Sequence, residues 1–330
     1  MLQENSPRPI ATKPVLPLPV RLHADVRSTG KGICIAMVDS DFVIHPDLME
    51  PIPRIVGYYD AVEDKAYELP PTEPLSRHWH GTMTACTAAG NGYLSRGEFT
   101  SLAPQSTVLL IRTMNEAGRV TTPTIERALH YILEHAVEFG IRVVNLSVYA
   151  DEFDQTLDHP VTKAVEDVVA KNIVVVAAAG NNPFAPIRPP ASAPNALTVG
   201  GLDDKNTLDG SDEELYHSTF GITQLGIQKP ELIAPAIWLP APILPGTQTH
   251  TQASALCALD MMTDDMLLSC APSLTPTLTP RGVKDILMST ARPLESFPAI
   301  RQGAGVIYQR GAIAAARDHA ARSVAMTDVA

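Results

Sequence analysis

The chain has 330 residues, of which 45% are hydrophobic and 18% are charged, a balance typical of a folded globular protein and not of a disordered one. Its formal net charge is −11 and it carries no cluster of Lys or Arg, so nucleic acid is not expected as a partner. No stretch approaches the ~18 consecutive apolar residues of a membrane-spanning helix, so no association with a membrane is expected either.

Neither the ends of the chain nor its four cysteines predict a catalytic or metal-binding site. Residues 1–30 are rich in Pro and lack periodicity, which predicts an extended N-terminal arm before a single domain over 31–320 and a tail over 321–330. No signal peptide is visible in MLQENSPRPI, so a cytoplasmic location is the default expectation. The cysteines have no metal-like spacing, and Cys34 and Cys86 are expected to be small buried hydrophobes.

Strands and helices alternate along most of the chain. A buried strand is predicted over 33–38 and a small-residue helix over 82–89, followed by a strand over 108–112. Thr122-Pro123 begins a helix with apolar residues on one face, and Gly140 ends it. Further strands are predicted over 141–148, 173–179 and 197–202, and further helices over 160–171 and from Thr279-Pro280. This alternation predicts a three-layer α/β/α domain with a mainly parallel sheet.

Three polar residues fall where the predicted strands end or a helix begins, the region where such sheets bind ligands. They are Asp39 in IAMVDSD, His80 in HGTMTA and Asn181 in VVAAAGNN. Each one alone is typical of a turn or a helix cap.

Together, however, these three segments resemble the subtilisin-like serine proteases, the subtilase family. The resemblance covers about residues 31–314 and includes, in the order of the family, the segments HPDL, VVNLS, PPASAPNALTVGG, PELIAP and LTPRGVKDILMSTARPL. It implies a subtilisin-like fold and a serine endopeptidase that acts on an extended polypeptide, with no cofactor required.

The resemblance also implies a role for each matched residue. His80 would be the general base, and Asp39 would orient its imidazole and stabilise the imidazolium. Asn181 would donate its side-chain amide to the developing oxyanion. The substrate would lie against two segments of backbone, formed by Ser147, Val148, Tyr149, Ala179 and Gly180.

Two departures from the family pattern bear on the site. Asp41 stands where the family usually has Gly, and we expect this second carboxylate either to be exposed or to raise the pKa of a neighbouring acid by like-charge repulsion. Tyr149 stands where Gly would let a substrate backbone approach closely, so a narrower cleft is expected.

The nucleophile itself is ambiguous, and three alignments compete. Gly246-Thr247 match the family's Gly-Thr-Ser but place Gln248, which cannot attack a carbonyl, at the third position. The spacing from Pro235 favours Ser254 instead, although Thr249 and Gln252 match a helix N-terminus that would place Ser254 inside the helix. In the third alignment 249–268 is an extra helix, the nucleophile is lost, and Ser269 has no catalytic setting.

Two functions therefore stay open: an active serine endopeptidase, and an inactive subtilase that binds a peptide or a protein through the old cleft. A dinucleotide-dependent oxidoreductase does not fit, since Gly30-Lys31-Gly32 precedes the first strand instead of following it. The side-chain oxygens of Asp203, Asp204 and Asn206 offer a calcium site, but acidic turn residues are the simpler interpretation, and no metal site is predicted.

Overall fold

The computed structural model describes residues 15–244, 280–295, 297–308 and 311–316. Within these residues one sheet of nine strands forms the centre of the fold. Its strands are β1 (Cys34–Asp39), β2 (Ile55–Asp60), β3 (Lys65–Tyr67), β4 (Thr107–Arg112), β5 (Ile141–Leu146), β6 (Val174–Ala178), β7 (Leu197–Asp203), β8 (Glu214–Leu215) and β11 (Leu232–Pro235). The short hairpin of β9 (Gly221–Ile222) and β10 (Gln228–Lys229) stands apart from it.

The strand order is β11-β7-β6-β5-β1-β4-β2-β3, with β8 paired to β7. Every pair from β2 through β11 along this path is parallel, and β3 and β8 add antiparallel edges. The predicted, mainly parallel sheet is therefore confirmed. Strand β1 lies in the middle of the sheet, so its last residue, Asp39, has neighbouring strands on both sides.

The helices are α1 (Leu18–Arg21), α2 (Pro46–Met49), α3 (Trp79–Ala89), α4 (Thr122–Phe139), α5 (Pro160–Ala170), α6 (Pro280–Thr290) and α7 (Ala299–Gln302), and residues 311–316 are also helical. Short 3-10 helices span Ser76–His78, Tyr93–Ser95 and Gly210–Asp212. Among the described residues, no helix combines the length and the apolar character needed to cross a membrane.

Local sequence explains the ends of α4. Thr121 and Thr124 form a reciprocal pair of hydrogen bonds at the N-terminus, and Pro123 occupies a position where its missing N–H costs nothing. At the other end Gly140 adopts φ +65° and terminates the helix, as predicted.

The two faces of the sheet bury two hydrophobic clusters, and this produces the three layers. Alternate residues of β1 point to opposite sides: Cys34, Ala36 and Val38 pack with α4 and α5, whereas Ile35 and Met37 pack with α3. Cys34 and Cys86 are buried free thiols, as predicted, and burial raises the pKa of each.

Several elements differ from the predictions. Helix α3 begins at Trp79, three residues before the predicted start, so His80 lies in its first turn and not ahead of it. Strands β2 and β3 were not expected, because IVGYYD is too mixed in character and KAY is too short to stand out.

The N-terminal arm, residues 15–30 of the described chain, is less extended than predicted and is docked on the domain. It contains the one-turn helix α1, and the buried Arg21 donates to Asp204 across 2.6 Å. The backbone N–H of Leu16 donates to Oδ1 of Asn206 at 2.8 Å. These contacts anchor the arm beside the end of β7.

Candidate active site

Asp39 and His80 meet at the carboxyl end of β1. Nδ1 of His80 lies 2.6 Å from Oδ1 of Asp39, and the Asp39 side chain is almost completely buried. A carboxylate can only accept, so Nδ1 carries the proton and donates it, which leaves Nε2 of His80 as the free acceptor. The His80 side chain is 46% exposed, so this nitrogen is within reach of a bound molecule.

The same contact sets the protonation behaviour of His80. The hydrogen bond to Asp39 raises the pKa of His80 above its ordinary value, although burial acts in the opposite direction. The imidazolium is therefore stabilised next to Asp39, as a base that receives a proton during a reaction requires.

Other groups hold the Asp39 carboxylate in place. The backbone N–H of Ser40 donates to Oδ1 at 2.6 Å, and the hydroxyl of Thr84 donates to Oδ2 at 2.8 Å. The hydroxyl of Thr113 donates to the backbone carbonyl of Asp39 at 2.6 Å. Sequence reasoning missed both threonines. The sequence could have indicated Thr84, because a residue four positions after His80 lies on the same face of helix α3.

Asn181 lies three residues beyond β6, on the loop at the same edge of the sheet as Asp39, and it is exposed. The loop is shaped by Gly180, which has φ +105°, and by the buried Thr219. The Thr219 hydroxyl donates to the carbonyl of Asn182 at 2.8 Å, and Thr219 N–H donates to the carbonyl of Gly180 at 3.0 Å. No sequence signal pointed to Thr219, which is distant along the chain from the loop that it supports.

The predicted substrate-binding residues lie on neighbouring strands at this edge. Ser147 directly follows β5 and donates its N–H to the carbonyl of Val38 at 3.2 Å, next to Asp39. Val148 is buried, whereas Tyr149 is 62% exposed and the guanidinium of Arg188 lies over its ring, 5.7 Å from the ring centre. Ala179 and Gly180 form the corresponding end of the loop after β6. The strand predicted to reach residue 148 ends at Leu146, which leaves residues 147–149 outside the sheet ladder.

The expectation that Asp41 is exposed is wrong. Its carboxylate is buried and lies against Arg77, Tyr58 and His78. Burial alone would raise the pKa of Asp41, but these hydrogen-bond donors outweigh burial and lower it.

The candidate nucleophiles, Ser254, Gln248 and Ser269, and the predicted helix start at Thr249 lie outside the described residues. Of the predicted catalytic set, the structure thus describes the acid–base pair and the candidate oxyanion donor.

The residues named for calcium are occupied by other partners. Lys205 donates to Oδ2 of Asp203 at 2.7 Å, while Asp204 and Asn206 bind the N-terminal arm. Within the described part of the chain, no group of three or more His, Cys, Asp or Glu side chains is arranged to hold a metal ion. The contacts favour the interpretation of these residues as turn and docking residues.

Similarities to known proteins agree with this arrangement. Residues 30–306 match the Subtilase family. The chain is 31% identical over 217 residues to serine protease AprX of Bacillus subtilis (strain 168), covering 63% of this chain and 47% of that protein. It is 30% identical over 181 residues to subtilisin BL of Lederbergia lenta, covering 54% of this chain and 58% of that protein.

Solved structures show the same fold. Sphericase superposes with a TM-score of 0.62 at 19% identity, over 84% of this chain and 91% of that one. The prenylagaramide maturation protease PagA superposes with a TM-score of 0.61 at 20% identity, over 91% of this chain and 99% of that one. The predicted three-layer α/β/α fold is confirmed.

The fold and the site define a class: a subtilisin-like α/β protein in which a buried Asp at the end of the central strand pairs with a half-exposed His. The chain belongs to the subtilase family, a family of serine proteases that act on polypeptides. The matched segments span about half the length of its relatives, 47% of one and 58% of the other.

Proposed function

We propose that this protein is a serine endopeptidase that hydrolyses peptide bonds of an extended polypeptide. The observation that carries the proposal is the contact of 2.6 Å between Nδ1 of His80 and Oδ1 of the buried Asp39. A single hydrogen-bonded histidine would be an ordinary cap or core residue. This histidine is instead half exposed, its second nitrogen has no partner among the described residues, and further hydrogen bonds hold its acid partner.

In the proposed reaction His80 Nε2 takes the hydroxyl proton of a serine as that oxygen attacks the scissile carbonyl. Asp39 keeps the imidazole in the required tautomer and stabilises the imidazolium. His80 then returns the proton to the leaving amine, and a water molecule hydrolyses the acyl-enzyme through the same acid–base steps.

Asn181 is the proposed side-chain donor to the oxyanion of the tetrahedral intermediate, a role worth roughly 10²–10³ in rate for such donors. The backbone at Ser147–Tyr149 and at Ala179–Gly180 would receive the substrate as an added strand, because both segments follow parallel strands at the same edge of the sheet. The scheme requires no cofactor.

Ser254 is the nucleophile we assign, because its distance from PELIAP fits the family. The decisive test is labelling of the purified chain with a fluorophosphonate probe, followed by peptide mass mapping. His80→Ala and Ser254→Ala are the matched variants. Stoichiometric labelling of Ser254 that disappears in His80→Ala is the expected result, together with cleavage of an unstructured protein substrate.

A second function is favoured by one observation in the sequence. Gly246-Thr247 precede Gln248 where the family pattern places serine. In that case the chain is an inactive subtilase that binds a peptide through the same cleft. A folded sample that neither reacts with the probe nor cleaves substrate, yet binds an unstructured peptide in a titration, would replace the first function with the second.

A further inference from the structure

We propose that Asp41 is a positioning residue for His80: its buried carboxylate anchors the Ser76–His78 turn, which delivers His80 to Asp39. The inference rests on the proposed function, since it gives the second carboxylate at the end of β1 a role in positioning the acid–base pair. Asp41 does not touch the reacting atoms and acts only through the chain segment that precedes His80.

The carboxylate of Asp41 hydrogen-bonds one side chain of the turn and lies close to a second. Nε of Arg77 donates to Oδ2 at 2.9 Å, and Nε2 of His78 lies 3.3 Å from the same oxygen. His78 and Asp41 are both 1% exposed. Because two successive residues of the turn converge on one oxygen, the carboxylate restricts where the next two residues, including His80, are placed.

A second contact fixes the orientation of the His78 ring. Its Nδ1 accepts the backbone N–H of Leu75 at 3.0 Å, so Nδ1 is unprotonated. The proton of the neutral ring is therefore on Nε2, the atom that faces Asp41. His78 thus lies between the beginning of the turn and the carboxylate, although its Nε2 makes no hydrogen bond within the described residues.

The carboxylate is itself held from the sheet. Oδ1 of Asp41 accepts the hydroxyl of Tyr58 on β2 at 2.8 Å and its neighbour's N–H, that of Phe42, at 2.7 Å. Nε of Arg112, the last residue of β4, lies 3.4 Å from Oδ2. Asp41 therefore connects the rigid central strands to the turn.

The backbone makes the same connection. The hydroxyl of Ser40 donates to the carbonyl of Arg77 at 3.3 Å. A Cβ atom on Gly81 would overlap the carbonyl oxygen of Asp41, so the first turn of α3 lies directly against this loop. Asp39 and Asp41 therefore position His80 through different contacts. Asp39 binds the imidazole, and Asp41 binds the chain segment that precedes His80.

Asp60 provides a matched control. It is 3% exposed and pairs with the same Arg112, across 2.8 Å, but its bonds go to Arg112 and to backbone N–H groups of residues 62 and 63, not to the Ser76–His78 turn. Loss of either carboxylate removes a buried partner of Arg112. Only loss of Asp41 also releases the turn.

The test is an NMR titration of isotope-labelled histidine in the full chain, with the His80 resonance assigned from His80→Gln. In Asp41→Asn we expect the pKa of His80 to fall, since a displaced ring loses the hydrogen bond to Asp39 that raises it, and the Nδ1 proton to lose its protection from exchange. In Asp60→Asn both signatures should match those of the wild type. In parallel, kcat of Asp41→Asn should fall about 10²-fold with KM nearly unchanged.

If Asp41→Asn does not fold, Arg77→Gln tests the positioning role instead. The Arg77 side chain is 32% exposed, so its replacement should disturb the fold less. It should shift the His80 titration in the same direction, and Arg77→Lys should restore part of the wild-type behaviour. Wild-type titration of His80 in folded Asp41→Asn or Arg77→Gln overturns the inference, as does an equal shift in Asp60→Asn. If the wild type proves unable to hydrolyse peptides, the proposed function fails, while the His80 titration still tests the positioning role.

Discussion

The hydroxyl of Thr219 occupies the space that a side chain at Gly180 would need. A Cβ atom built on Gly180 would lie 2.7 Å from Thr219 Oγ1, and Gly180 has φ +105°, a conformation that residues with a side chain rarely adopt. The same hydroxyl bonds the backbone of Asn182. The loop that carries Asn181 is therefore held between a glycine and one buried threonine.

We expect Gly180→Ala to reduce the rate of peptide hydrolysis sharply, because the loop must move to relieve both the strain and the overlap. The backbone strain alone costs on the order of 1–3 kcal/mol. Gly226→Ala is the control, since Gly226 also has a positive φ (+75°) but open space around its Cβ position. Urea unfolding and kcat measurements on both variants separate the two effects. An equal loss of activity in Gly226→Ala would contradict this account.

Thr219→Val should lower both kcat and stability, because it keeps the shape of the side chain but leaves the Asn182 backbone groups without their partner. Asn182 is exposed, so the loss should be close to the net value of one intramolecular hydrogen bond, about 0.5–1.5 kcal/mol. Thr219→Ser retains the hydroxyl and should behave almost as the wild type. The measurement is the urea midpoint together with kcat and KM, and a wild-type midpoint for Thr219→Val would show that the hydroxyl does not support the loop.

The contact between Asp39 and His80 predicts the pH profile. His80 must be neutral to accept a proton, and Asp39 raises its pKa, so kcat/KM should increase with pH through a midpoint above the ordinary histidine value of about 6.5. In Asp39→Asn the main cause of the raised pKa is gone while burial still lowers it, so any remaining activity should have its midpoint at lower pH. The rate should also fall about 10⁴-fold, as expected for loss of the orienting carboxylate. A midpoint that rises in Asp39→Asn would contradict the assignment.

Much of this arrangement could be predicted from the sequence. Continuous apolar strands such as those ending at Asp39 and Ala178 predicted a parallel sheet, and its geometry places the residues after those strands along one edge. The sequence could not predict that His80 lies inside α3 or which side chains the Asp41 carboxylate contacts. The Asp41 carboxylate lies against Arg77, which follows Asp41 by 36 positions in the chain and meets it only in the folded protein.

Tyr149 should limit which side chains the cleft accepts. Its ring is exposed beside the segment that would bind substrate, and Arg188, which also donates to the carbonyl of Asp151 at 3.1 Å, lies over it. We expect Tyr149→Gly to raise kcat/KM for peptides with bulky side chains near the scissile bond by about tenfold, chiefly through KM. Peptide-library profiling checks this. Tyr149→Phe, which keeps the ring, should retain the wild-type preference.

A buried cluster of Lys229, Glu231 and Lys284 fastens α6 to the sheet. Nζ of Lys229, a fully buried residue, lies 2.7 Å from Oε1 of Glu231 and donates to the carbonyl of Ala196 at 2.8 Å. Lys284 on α6 binds the same carboxylate oxygen. Glu231→Gln leaves two ammonium groups without their counter-charge, and removal of one partner from a buried ion pair typically costs about 3–5 kcal/mol. The free energy of unfolding in urea measures this loss.

Lys229 also predicts how stability depends on pH. Burial lowers the pKa of Lys229 to about 8, against the attraction of Glu231, whereas an unfolded lysine titrates near 10.4. Between these values the unfolded chain binds the extra proton, so this residue's contribution to stability rises with pH. Relative to Lys229→Met, which cannot titrate, the wild type should gain about 2 kcal/mol from about pH 8 to about pH 10. A constant difference between the two proteins across that range would show that Lys229 keeps its proton in the folded state.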